Sequence, residues 1–381
     1  MGQICTKGIW DESVPGIEFD KNGISNYARM FQKFTELYPR GDKGLEEWET
    51  WVRKIKKDGL KRKYDCIVGV SGGTDSSYLL YLTREYGLRP LAVNLDNGFS
   101  SRIAVENIKK VTSALGIDLE TYVVDYEEVK AVLRAYIKAS LPWIDGPTDL
   151  AIKAALYKVA ERENVRFIFN GSDFRTEGKQ PTEWTYTDAR QLLHLINKFE
   201  RIRLKTFPYY TISRFIRVGY FKRIKMLRPY YYLDYEKRKA QEFLRKEYNW
   251  EYYGGHHHEN IFTRFALSYW LPKKFGIDKR IISLSALVMN GEITREQGLE
   301  ELAVEPYDIK DMMYDKEFVL KKLDMTDEEF EKYISSPNKY YYDYPSYMFL
   351  LKTFNKLSIN SIKKILPFTP SIFIESQSRM E

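Results

Sequence analysis

Four short apolar runs, at residues 66–70, 91–95, 119–124 and 166–170, punctuate the first half of the chain. Each is rich in Val, Ile, Leu or Phe, is too short for a helix, and is followed by a polar or glycine-containing cluster. That pattern predicts strands of a parallel sheet buried on both faces. Between them, apolar positions recur at helical spacing over 102–115, 127–138 and 149–163, the last capped by Thr148 or Asp149. Such alternation predicts an α/β fold, a doubly wound parallel sheet with helices on both faces. Ligands of these sheets sit at the carboxyl ends of the strands, so all four polar clusters are expected at one crevice.

Outside the repeat the pattern changes. Residues 4–30 carry Pro15, Gly16 and Gly23 at turn-like positions and predict an irregular lobe rather than a helix. Leu45, Trp48, Trp51, Val52 and Ile55 then predict an amphipathic helix over 44–57, leading into the first strand. From Gly178 to about Leu227 basic and aromatic residues mix without a clean period. Further helices are predicted at 235–247, 281–289, 294–302, 326–334 and 358–366. The expected division is an N-terminal lobe with its lead-in helix at 1–60, the sheet domain at 61–180, and a mainly helical part at 181–381 that binds substrate or partner.

Composition narrows the class. At 381 residues, 44% hydrophobic and 30% charged, the chain can bury a sizeable core. No run reaches the length of a membrane span and no signal-peptide pattern opens the sequence, so a cytoplasmic protein without a membrane span is expected. Cys5 and Cys66 are the only cysteines, which excludes a disulfide framework and a four-cysteine metal site. The net charge of +7 is concentrated: residues 198–246 hold 15 Lys and Arg against four Asp and Glu. A local anionic partner fits this better than a general nucleic-acid coat, and no nucleic acid is expected.

The candidate chemistry lies directly after the first strand, in Ser71, Gly72, Gly73, Thr74, Asp75, Ser76 and Ser77. Strand, glycine turn and helix start form a phosphate-holding geometry, because the backbone can approach closely and first-turn N–H groups face the anion. GxxxxGK[ST] and GxGxxG are both absent, so this is neither a P-loop nor a dinucleotide fingerprint. A serine-capped helix with Asp75 as its dipole partner would account for the same residues without any ligand. The run SGGTDSS instead resembles the SGGxDS signature of the PP-loop ATP pyrophosphatases, of the adenine nucleotide alpha hydrolase-like fold. The resemblance implies ATP and Mg²⁺ as cofactors. It assigns Ser71, Gly72, Gly73, Thr74, Ser76 and Ser77 to the phosphates, with Asp75 steering Mg²⁺ or water. Asn94, Asp96 and Asn97 would lie against the adenosine, with Gly171 near the base or ribose. Asp173 and Glu177, past the fourth strand, are expected to act in catalysis, Asp173 together with Asp75 at Mg²⁺.

A narrower resemblance covers roughly residues 4–345. PGIEFDKNGISNY, YDCIVGVSGGTDSSY, VNLDNGF, GPTDLAIKAALYKVA, NGSDFRTEG, GGHHHENIFTRF, LPKKFGIDKR and LSALVMNGEITREQGLEEL follow the order seen in the N-acetyl sugar amidotransferases of surface-polysaccharide (LPS O-antigen) synthesis. These enzymes convert an acetamido group of a UDP-linked sugar, usually a 2,3-diacetamido uronic acid, into an acetamidino group. Ammonia reaches them from a glutaminase subunit paired with a synthase-like subunit. The resemblance therefore implies adenylylation of the amide oxygen, attack by ammonia, and release of AMP and PPi. Asp149, His257, His258 and Glu259 are expected to line the substrate site, although Asp149 as a mere helix cap and the histidines as a metal site stay open. Arg201, Arg203, Arg217 and Lys222 are candidates for the UDP diphosphate or an acidic partner. Cys5 stands alone, with Gly8, Ser25 and Ala28 where the family carries zinc-knuckle cysteines, so no zinc is expected. Self-association stays open. Two rivals remain: a tRNA-modifying PP-loop enzyme, and a non-catalytic nucleotide-binding scaffold.

Overall fold

The computed structural model describes residues 2–255, 258–305 and 307–350. The helix expected at 358–366 and His257, expected in the substrate site, lie outside them. The centre is an all-parallel five-stranded sheet in the order β3-β2-β1-β4-β5. Its strands are β1 (Cys66–Gly69), β2 (Pro90–Asp96), β3 (Asp118–Val123), β4 (Phe167–Phe169) and β5 (Lys225–Leu227). The mixed α/β architecture expected from the alternation is present, with a helical part following the sheet.

Side chains alternate across the sheet as a two-residue period requires. Cys66, Val68, Ala92, Phe167 and Phe169 join one apolar cluster, while Ile67, Leu91, Val93 and Ile168 join another. The first face packs against α2 (Asp42–Gly59), α3 (Thr74–Glu85), α4 (Arg102–Leu115) and the helix Lys237–Tyr248, through Trp48, Leu80, Val111 and Leu244. The second packs against α6 (Gly146–Arg162), which follows α5 (Tyr126–Lys138), through Ala154, Leu156 and Tyr157. β1, central and buried on both sides, pairs with β2 and β4.

β5 was not expected. Lys-Met-Leu is too short and too polar to stand out in a sequence, and it is held by pairing with β4 at Phe167 to Phe169. The sheet thus reaches past residue 180 into the basic stretch. The N-terminal lobe also differs from expectation. Isolated bridges join Ile4 to Asp11 and Phe19 to Ser25, but α1 (Asn26–Leu37) follows at once, capped where Ser25 Oγ accepts from Ala28 N–H. Tyr27, Met30, Phe31 and Phe34 form its buried stripe, a periodicity visible in the sequence. Cys5 is buried and its Sγ accepts from Ser25 N–H at 3.3 Å. A Cβ at Gly8 would lie 2.5 Å from the Trp10 ring, so indole fills the room a side chain there would need. Ile17 and Phe19 pack on the same core as Tyr27.

Among the described residues no helix is long and apolar enough to cross a membrane.

Candidate active site

The turn after β1 opens into a cavity of about 680 Å³ at the carboxyl edge of the sheet. Backbone sterics set the turn. Gly72 has φ +80°, and a Cβ on it would come 2.2 Å from the Ala104 carbonyl oxygen of α4. The Gly72 carbonyl accepts from Asn107 Nδ2 at 3.3 Å and from Trp250 Nε1 at 3.1 Å. The turn is therefore clamped from behind by α4 and by a residue far along the chain. α3 starts at Thr74 with Gly73 as its N-cap and no side-chain cap, which leaves the helix end to backbone donors. Tyr253 OH accepts from Thr74 N–H at 3.3 Å, and Ser76 Oγ accepts from Ser71 N–H at 3.2 Å.

The expected phosphate residues divide. Ser71, Gly73, Asp75 and Ser76 line the cavity. Gly72, Thr74 and Ser77 are buried behind it, and the Thr74 hydroxyl accepts from Gln241 Nε2 at 3.2 Å. On the nucleoside side Asn94, Asn97 and Gly171 line the cavity. Asp96 instead turns to its own loop and accepts from Gly98 N–H at 2.9 Å. Gly171 packs on Asp75, where an added Cβ would meet backbone at 3.2 Å.

Asp75 is held by two residues that sequence reasoning missed. Tyr235 OH donates to its Oδ1, and Lys237 Nζ lies 3.1 Å from Oδ2. Burial disfavours the Lys237 charge, yet Asp75, Tyr253 and Glu177 together outweigh it and hold the ammonium above its ordinary pKa. Tyr230 OH donates to the Asp75 carbonyl at 2.6 Å. Lys237 belongs to the basic stretch, and so does Arg228, which lines the cavity and donates to Ser172 Oγ at 3.1 Å. The four basic residues singled out from the sequence, Arg201, Arg203, Arg217 and Lys222, are exposed and lie off the cavity. What separates the two sets is position: Arg228 directly follows β5, and Lys237 opens a helix packed on α3.

Asp173 must be reassigned. Its side chain is fully buried, 2.7 Å from Arg40 Nη2 and 3.9 Å from Arg175 Nη1, and it does not line the cavity. Burial raises its pKa to about 6 despite both arginines. It ties the α1–α2 connection to the segment after β4, and it is not placed to act on a ligand or hold Mg²⁺. Glu177 does line the cavity.

Asp149 also faces the cavity, and it does not cap α6. That helix begins at Gly146 with Asp145 as N-cap, and Asp149 Oδ2 accepts from Trp143 Nε1 at 2.9 Å. Glu259 lines the cavity beside the loop, its Oε1 within 3.4 Å of where a Gly73 Cβ would be. His258 turns away instead, stacked on Tyr307 at 5.4 Å and lying over Gly255. His257 is outside the described residues. No group of three or more His, Cys, Asp and Glu suited to a metal ion occurs among the described residues.

The SGGTDSS run thus forms a glycine turn between the central strand of a parallel sheet and the next helix, opening on a cavity at the strands' carboxyl edge. Residues 259–358 match the model described as the LPS biosynthesis protein WbpG-like, C-terminal domain. An uncharacterized protein of Methanocaldococcus jannaschii is 26% identical over 270 residues, covering 69% of this chain and 80% of that protein. Among solved structures, an NH3-dependent NAD synthetase from Campylobacter jejuni aligns at 16% identity and TM-score 0.32, covering 78% of this chain and 98% of its own. An NMN synthetase from Francisella tularensis aligns at 14% identity and TM-score 0.29, covering 61% and 94%.

Proposed function

We propose that this protein is an ATP-dependent amidotransferase acting on a UDP-linked N-acetyl sugar, of the diacetamido uronic acid class, in LPS biosynthesis. The observation that carries the reading is a single cavity joining two chemistries. Its wall includes residues of the SGGTDSS turn, with its backbone donors, and a polar group of Trp143, Asp145, Asp149 and Lys279. A phosphate site and an acid–base site that share one cavity suit transfer of an activated group between bound substrates.

The residues fit ATP and Mg²⁺. Gly72 keeps the turn tight against α4, and the backbone N–H groups of the turn and of the first α3 turn would hold the departing pyrophosphate. Arg228 and Lys237 would balance charge on the polyphosphate. Mg²⁺ is usually held by one or two carboxylates together with substrate phosphates, a role open to Asp75 and Glu259. ATP supplies the adenylyl group that turns a poor amide leaving oxygen into a good one. The acetamido oxygen bonds to the α-phosphorus as pyrophosphate leaves. Ammonia then bonds to the former carbonyl carbon, the C–O bond breaks, and AMP departs, leaving the acetamidino group. Ammonia would be delivered by a partner glutaminase with its synthase-like subunit, because neither Cys66, buried in β1, nor Cys5, buried in the lobe, is placed as a glutaminase nucleophile. The reading places the protein in the cytoplasm.

The test is incubation with ATP, Mg²⁺, ammonium and a UDP-diacetamido uronic acid. The expected result is a sugar whose mass reflects O replaced by NH, with AMP and PPi in equal amounts. Unchanged sugar alongside normal ATP binding would refute the acceptor.

A further inference from the structure

We infer that the part of the cavity walled by Trp143, Asp145, Asp149, Thr263 and Lys279 is the nitrogen-donor subsite, where Asp145 receives ammonium and accepts its proton. The inference rests on the proposed function for the identity of the nucleophile.

The two oxygens of Asp145 differ. Oδ2 accepts from Thr263 Oγ1 at 2.5 Å, whereas Oδ1 has no hydrogen-bond partner among the described residues. Asp145 is only 3% exposed, yet it forms part of the cavity wall. A buried carboxylate oxygen left without a donor is costly, and a ligand carrying N–H relieves that cost. The near closure of Asp145 selects for size: Oδ1 itself is closed to solvent in this structure, so only an ion as small as ammonium, admitted by a small movement of the wall, would reach it, and a sugar ring would not. The surroundings select for charge. Asp149 stands one helical turn on, and Lys279 holds its own ammonium 3.7 Å from the centre of the Trp143 ring. That aromatic face beside carboxylates already accommodates one ammonium group, that of Lys279.

Proton transfer follows from the same placement. Burial, reinforced by Asp149 and opposed by Thr263, Thr148 and Lys279, raises the Asp145 pKa to about 7. Burial lowers that of Lys279 to about 8, against the pull of Asp149, Asp145 and Glu177. Both groups therefore exchange protons near neutrality, where a general base is most effective. Ammonium gives one proton to Asp145 Oδ1, and the N–H bonding pair stays on nitrogen as the lone pair. That pair bonds to the activated amide carbon as the C–O bond breaks and AMP leaves. Asp145 then releases its proton to solvent, with Lys279 available as carrier.

Asp145→Asn keeps an oxygen for Thr263 and removes the proton acceptor. The variant is expected to raise the KM for ammonium roughly tenfold or more, while the KM values for ATP and sugar stay within about twofold. In the wild type, kcat/KM for total ammonium levels off above about pH 7, once Asp145 is ionised. In the variant it keeps climbing with the fraction of free ammonia. An unchanged ammonium KM, or a rise confined to the sugar, overturns the assignment. Binding is read independently of turnover by soaking crystals of the full-length wild type in thallous ion, a cation of ammonium's size. Anomalous density at Asp145 Oδ1 is expected, and its absence overturns the subsite. Density there with no sugar turned over would refute the acceptor and leave the subsite standing.

Discussion

Gly72 and Gly73 are adjacent and read alike in the sequence, yet replacing each by alanine should give opposite results. At Gly72 two penalties combine. The φ of +80° is left-handed, and a side chain there costs about 1–2 kcal/mol. The added Cβ would sit 2.2 Å from the Ala104 carbonyl oxygen and 2.8 Å from its Cα, both backbone atoms of α4 that cannot swing aside. A normal contact needs about 3.5 Å, so the turn must retreat by roughly 1 Å, which strains the bonds from Asn107 and Trp250. Each of those is worth about 1 kcal/mol. The total is about 3–4 kcal/mol, or a melting temperature lower by roughly 5 °C for a chain of this size. A shift of that scale at a phosphate site costs on the order of a hundredfold in rate. At Gly73 the φ is −72° and the nearest atom is the Tyr253 hydroxyl, 3.1 Å away at the end of a movable side chain. Gly73→Ala should therefore melt within about 2 °C of wild type. Differential scanning fluorimetry and ATP titration calorimetry on both variants decide the matter. Equal melting temperatures, or a Gly72→Ala protein that binds ATP normally, would refute the steric account.

Two further outcomes are expected. Arg40→Met strands the buried Asp173 carboxylate, and it should lose about 3–5 kcal/mol in urea unfolding. Asp173 already has a folded pKa near 6, above its unfolded value. Its ionisation therefore destabilises the fold as pH rises through that range, and without Arg40 the pKa climbs further. The deficit should accordingly be larger at pH 8 than at pH 5, and the reverse trend would contradict the pairing. The basic stretch should also split by position. Arg228→Met and Lys237→Met should weaken ATP binding by at least about tenfold, whereas Arg217→Ala and Lys222→Ala leave it unchanged. Equal effects from all four would mean that the stretch acts only through net charge.

The sheet was legible because its strands are buried on both faces: Ile67, Val68, Ala92 and Ile168 contact apolar layers on either side, so their runs are continuous in sequence. β5 was illegible for the converse reason, since three residues with an exposed lysine carry no period and exist as a strand only by pairing with β4. In the candidate site, Ser71, Asp75 and Glu177 could be located from their distance to strand ends, and Glu259 from the motif GGHHHENIFTRF that carries the family resemblance. The direction of a side chain could not be read that way. Asp173 follows β4 as Asn170 does, yet it points into an arginine pair contributed by residue 40 and by its own turn. Asp145 and Lys279 meet across more than 130 positions, and neither stands in a local pattern. Both line one cavity because the tertiary fold brings the start of α6 to the helix Ile261–Phe265, where Thr263 Oγ1 donates to Asp145, and no local spacing encodes that.

The clamp on the nucleotide turn has a consequence for how the protein is made. Trp250 reaches Gly72 across 178 positions, and Tyr253 reaches Thr74 across 179. During synthesis β1 and α3 emerge with their turn unsupported, and nearly half of the chain must follow before those two contacts can close. An amino-terminal fragment ending before residue 250 would keep the motif letter for letter and lack the wall that shapes it. Nucleotide binding would then arrive late and all at once, as the last long-range contacts form, so a nascent chain stalled partway would hold no ATP.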